Sequence, residues 1–97
     1  MFRLWGKIIQ KNNIVQNYVF EINKNDQSFD VLLAKGMEDL CNRFDISNPM
    51  WLSDNTIDMN RINKTKFKAQ HFIEEIEFDY FEIEYLPERE NNFHDKM

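Results

Sequence analysis

Two histidines, a single cysteine, a cluster of lysines around one phenylalanine and a run of glutamates are the side chains with chemistry to offer in this sequence. His71 as a general base or metal ligand would need carboxylates or further ligands at a recognisable spacing, and none accompanies it. It reads instead as an ordinary polar residue at a strand margin, and His94 as part of a polar tail. Cys41 as a nucleophile would need a depressed pKa, whereas it falls among apolar helix positions, which raise a thiol's pKa and hide it. With only two glycines in the chain, there is no phosphate-cradling loop. Glu74, Glu75, Glu77, Asp79, Glu82 and Glu84 carry enough oxygen for a divalent cation. Glu75, Glu77 and Asp79, at every second position, describe the solvated face of a half-buried strand better than a clustered ligand loop. No catalytic residue, cofactor site or metal ligand is nominated, and the reading leans away from an enzyme.

Binding chemistry is better represented. Arg61, Lys64, Lys66 and Lys68 surround Phe67, and cations about an aromatic ring can hold a phosphate backbone and stack a base. Against that stands the net charge of −5, from seventeen acidic and twelve basic residues, which repels polyphosphate from the domain as a whole. The preferred reading of Arg61 to Lys68 is a solvated loop that pairs with the acidic strand, with nucleic acid as the alternative partner. Trp51, two positions after Pro49, is a different clue. If partly exposed beside Trp5, it makes an aromatic anchor for a protein partner.

These side chains must be positioned by helix and strand. From Ser28 to Asp45 the apolar residues Phe29, Leu32, Leu33, Met37, Leu40, Cys41 and Phe44 recur at spacings of three and four, which predicts an amphipathic helix. Asp26 or Ser28 caps its start, and Gly36 on its apolar side implies close packing against another layer. Met1 to Ile9 alternates with bulk on both faces, as an interior strand does, and Gly6 within it marks a bulge or a close neighbour. Lys11 to Asn13 then forms a hairpin turn to a second strand, Ile14 to Ile22, whose core face is Ile14, Tyr18, Phe20 and Ile22. Pro49 follows the end of the helix. Met50 to Leu52 reads as one brief strand, and Ile57, Met59 and Ile62 fit a short helix or an irregular crossing. The apolar phase shifts between Phe78 and Phe81, so a bend falls near Asp79 and Tyr80 and the last strand begins there, stopping at Pro87.

The elements sum to one α+β domain over residues 1–87 and a polar, frayed tail over 88–97: a mixed β-sheet with the helix packed across it. A β-grasp-like roll, with the first and last strands side by side and parallel, is the first choice, and a split βαβ arrangement is the alternative. Ninety-seven residues suffice for one core, filled here by nine Phe, two Trp and three Tyr. The N-terminus lacks a secretory apolar run and no stretch approaches a membrane span, so a soluble cytoplasmic protein with a reduced thiol is expected.

The segments Leu4-Trp5-Gly6-Lys7-Ile8-Ile9, Leu40-Cys41, Asn48-Pro49-Met50-Trp51-Leu52, Lys64-Thr65-Lys66-Phe67, Phe72-Ile73-Glu74-Glu75-Ile76 and Phe78-Asp79-Tyr80 together resemble a family of small uncharacterised proteins of low-GC Gram-positive bacteria. The resemblance spans nearly the whole chain short of the tail, and it brings no assigned activity and no functional residue. The expectation is a small protein-binding or adaptor module without catalysis or cofactor. A nucleic-acid accessory protein is the second reading, and a cryptic small-ligand protein or enzyme the third.

Overall fold

The hairpin forms where lysine and asparagine can adopt left-handed backbone: Lys11 and Asn12 have φ of 53° and 66°, the pair of conformations that matches a two-residue turn to strand twist. It joins β1 (Phe2–Gln10) to β2 (Asn13–Ile22) in the computed structural model, which describes residues 1–88. Ile8 faces Gln16 while Ile9 faces Ile14, so Val15 is an extra residue and β2 bulges there.

Helix α1 (Phe29–Phe44) starts where the Ser28 hydroxyl accepts the Val31 N–H at 3.3 Å, and it ends at Asp45, left-handed with φ 57°. It buries Leu32, Gly36, Leu40, Cys41 and Phe44 against the sheet. The contact is reciprocal. A Cβ on Gly36 of the helix would lie 2.8 Å from Leu4 Cδ2 and 3.1 Å from Phe20 of the sheet, and a Cβ on Gly6 of the sheet would lie 2.9 Å from both methyls of Leu40 on the helix. Each layer's glycine accommodates the other layer's side chain, so the close packing expected at Gly36 and the close neighbour expected at Gly6 are the same interface. Gly6→Val forces three carbons into Leu40 and Phe44, which are themselves held in the core. A loss of about 1–3 kcal/mol is expected, read as a lower denaturant midpoint at unchanged slope.

Past the helix, Met50 to Leu52, expected as a brief strand, forms no strand. The residues Ile57, Met59 and Ile62 belong to a helix, α2 (Ser53–Ile62), of which Asn55 and Met59 are the buried members. Asn63, left-handed at φ 62°, turns the chain straight into β3 (Lys64–Phe67). A 3₁₀ turn at Ala69–His71 and a loop then lead to β4 (Tyr80–Tyr85). As the change of phase implies, β4 begins at Tyr80, with Phe81 and Ile83 buried among the core side chains. The preceding bend is fixed by Asp79, whose N–H donates to the Ile9 carbonyl at 2.9 Å and whose carboxylate accepts the Lys11 N–H at 2.8 Å.

The sheet order is β2-β1-β4-β3, and both helices lie on one face of it. The architecture is α+β with α1 packed across the sheet. β1 is interior, with β4 beside it at the centre, yet β1 and β4 run antiparallel, as do the other pairs. The parallel pair of a β-grasp-like roll is thus not formed, and the reason is local. Lys64–Phe67, expected as a loop, is a strand, and its extra pass reverses the chain once more before β4.

Among the core residues Phe2, Leu4, Leu40, Phe67, Phe81 and Ile83, Cys41 is a buried free thiol whose pKa burial pushes up to about 11. Of the expected core face of β2 only Phe20 and Ile22 are partly buried: the bulge turns Ile14 opposite Ile9, onto the other face of the sheet, and Tyr18 is exposed with the Arg43 guanidinium of α1 3.8 Å from its ring centroid. Among the described residues no helix is long and apolar enough to cross a membrane. The tail expected over 88–97 lies, after Glu88, outside the described residues, and His94 with it.

Candidate functional site

Aromatic rings carry the core outward to one surface position. Phe44 packs on Phe81 with centroids 6.0 Å apart, Phe81 stacks on Phe67 at 5.7 Å, and Phe67 meets Trp51 at 5.7 Å. Trp51 ends the row at 38 % exposure. Its indole N–H donates to the Thr56 hydroxyl at 2.8 Å, so the ring is fixed on both its apolar and its polar side. On one flank lies a groove of about 390 Å³ lined by Leu33, Met37 and Pro49 with Asp30 and Glu38 at its rim. On the other is a groove of about 310 Å³ lined by Phe29, Leu33 and Met59. Trp51 is therefore an immobilised aromatic ridge between two apolar grooves, on the seam of α1 and α2. Well-packed tryptophans of this kind dominate the energetics of protein interfaces.

Trp5 does not join it. Its neighbours Leu4 and Gly6 point toward α1, so alternation sends the Trp5 ring to the opposite, helix-free face of the sheet. There its N–H donates to Asn17 Oδ1 at 3.1 Å and the Lys7 ammonium sits 3.9 Å from the ring centroid. The two tryptophans cannot form one anchor.

The basic segment is divided between elements. Phe67 is 0 % exposed, which corrects its reading as a stacking platform: β3 turns it inward onto Phe81, and no base can reach it. Lys64 and Lys66 emerge on the helix-free face directly opposite Glu84 and Glu82 of β4, and the Lys66 ammonium lies 4.5 Å from the Tyr80 ring centroid. Lys7 of β1 reaches the same carboxylates, at 3.2 Å from Glu82 and 3.4 Å from Glu84. Lysines and glutamates thus alternate across β1, β4 and β3, but among the described residues the ion pairs to Glu82 and Glu84 come from Lys7, and Lys64 and Lys66 of the expected loop face these carboxylates only across the strand register. Arg61 and Lys68 are exposed on separate elements.

His71 is 1 % exposed. It lines a cleft of about 580 Å³ with Asp54, Asp58, Lys64, Lys66, Lys68 and Tyr80. Its Nδ1 accepts the Lys68 backbone N–H at 3.0 Å, while the buried Nε2 lies 3.5 Å from Asp54 Oδ2 and makes no hydrogen bond among the described residues. The Nδ1 lone pair is thus taken by the backbone, and the histidine acts as a structural acceptor that fixes the 3₁₀ turn. Among the described residues no group of three or more His, Cys, Asp or Glu side chains is arranged to hold a metal ion.

One polar residue escaped the sequence reading. Asn55 is 0 % exposed. Its Oδ1 accepts the Leu52 N–H at 2.8 Å, while Nδ2 donates to Thr65 Oγ1 at 2.8 Å and to the Lys66 carbonyl at 3.2 Å. It caps the start of α2 and at the same time clamps that helix to the outer edge of β3. Between Asp54 and Thr56 it reads as one more turn former, and nothing in the sequence marks it out. No protein-family model, curated protein or solved structure matches the chain.

Proposed function

We propose that this chain is a cytoplasmic protein-binding module without chemistry of its own, and that it docks its partner on the α1–α2 seam around Trp51. The observation that carries the reading is the pinned, half-exposed Trp51 ring between two apolar grooves. Acidic Asp30 and Glu38 rim the larger groove, so the fitting partner is an amphipathic segment that offers one bulky apolar side chain flanked by lysine or arginine. The nucleic-acid alternative loses its stacking residue with the burial of Phe67, and its lysines stand opposite carboxylates.

Peptide display against the purified domain tests this. Selected sequences are expected to share an aromatic or large aliphatic residue between basic ones. Trp51→Ala should weaken them by about 30-fold, the equivalent of a 2 kcal/mol hot spot, with Trp5→Ala leaving affinity unchanged. Selection of no consensus, or of peptides that bind Trp51→Ala as well as the parent, overturns the proposal.

A further inference from the structure

The two edges of the sheet are treated differently. At β3 the outward Lys66 carbonyl is taken by Asn55 and α2 packs along the strand. At β2, among the described residues, no element covers the edge. The hydrogen bonds from Asp79 N–H to the Ile9 carbonyl and from Leu86 N–H to the Arg3 carbonyl show that odd-numbered residues of β1 turn their peptide groups toward β4. Even-numbered residues therefore bond β2, and the β2 residues opposite the odd ones, Asn17, Val19 and Glu21, direct their N–H and C=O groups outward. The strand carries few of the features that keep edges monomeric. Asn13 to Phe20 contains no charge and no proline, and the bulge at Val15 bends only its beginning, leaving Gln16–Ile22 regular.

We infer that β2 is a dimerisation edge, pairing antiparallel with β2 of a second copy about a two-fold axis at Val19. The sequence is self-complementary in that register. Val19 meets Val19 and Glu21 meets Asn17, so all three outward residues exchange main-chain hydrogen bonds and no like charges oppose one another. A shift that centred the axis on Glu21 would set two carboxylates face to face. On the helix side, Tyr18 of one copy falls opposite Phe20 of the other. There a groove of about 280 Å³ between β2 and α1, lined by Phe20, Ile22, Lys35 and Asp39, lies open to receive it. Because α2 closes the β3 edge, association stops at one pairing: the product is a closed eight-stranded dimer and not a growing sheet. This edge lies at the other side of the sheet from Trp51, so the inference stands apart from the proposed docking surface.

Sedimentation equilibrium across a concentration series tests it, with circular dichroism as the check on folding. The parent chain is expected to reach twice its monomer mass, and Val19→Lys, which places two ammonium groups together at the axis, should return it to monomer with an unchanged spectrum. Val19→Cys in a Cys41→Ala background should oxidise to a covalent dimer, since the paired α-carbons come within disulfide reach in this register alone. A parent that stays monomeric to its solubility limit, a dimer that survives Val19→Lys, or a Val19→Cys protein that does not cross-link would each overturn the assignment.

Discussion

Phe67→Ala is expected to remove about 3–5 kcal/mol of stability, the range for truncating a fully enclosed aromatic ring. For a domain of this size that is a large share of the roughly 5–15 kcal/mol that separates folded from unfolded chains. The side chain is wholly buried and touches Phe81, Trp51 and His71 at once, so no neighbour can collapse into the vacancy without leaving a contact of its own. Denaturant unfolding should show a much lower midpoint at constant slope, with Phe67→Leu intermediate. The variant also separates two functional readings. If Phe67 served nucleic acid, its loss would change affinity and spare stability. As a floor beneath Trp51, its loss should lower stability and peptide binding together. A Phe67→Ala protein as stable as the parent would contradict the core described above.

Asn55→Ala ranks second, at about 2–4 kcal/mol, because it strands three partners. The Leu52 N–H, the Thr65 hydroxyl and the Lys66 carbonyl all bond to this one amide. Thr65 keeps a second bond, donating to Asp58 Oδ2 at 2.9 Å, whereas the Lys66 carbonyl has Asn55 as its side-chain partner. Asn55→Asp should do no better. It keeps the acceptor for Leu52 but replaces the Nδ2 donors by a carboxylate oxygen facing a carbonyl oxygen, inside the protein. Amide hydrogen exchange offers the finer test: protection should fall in α2 and β3 first, while β1 and α1 keep theirs. Uniform loss across the sheet would show that Asn55 is not a local clamp.

The parts of the fold written in a long period could be read directly. α1 presents its stripe over sixteen residues, and the two glycines, anomalous in a helix and an interior strand, pointed to the interface they form. β3 could not be read, because four residues are too few to establish alternation and the density of cations there masks it. Lys64, Thr65, Lys66 and Phe67 do alternate, with Thr65 and Phe67 turned inward. α2 was ambiguous because one of its two buried residues is an asparagine, so its inward face carries almost no apolar signal. Trp51 stood out in the sequence as a candidate anchor, but the grooves beside it did not. Leu33 and Met37 belong to the helix stripe, and only the position of α1 relative to α2 leaves them half open. That Trp5 lies elsewhere follows from alternation along β1, which sets Arg3, Trp5 and Lys7 on the face opposite Leu4 and Gly6.

The buried thiol gives this protein an internal clock. Cys41 is the sole cysteine, 2 % exposed on the sheet-facing side of α1 and with its pKa raised to about 11, so a disulfide reagent in solution finds neither access nor thiolate in the folded state. Each modification event must then record an excursion in which the helix leaves the sheet. The labelling rate, compared with that of an unfolded peptide, would count those excursions one molecule at a time under native conditions, with no denaturant and no engineered probe.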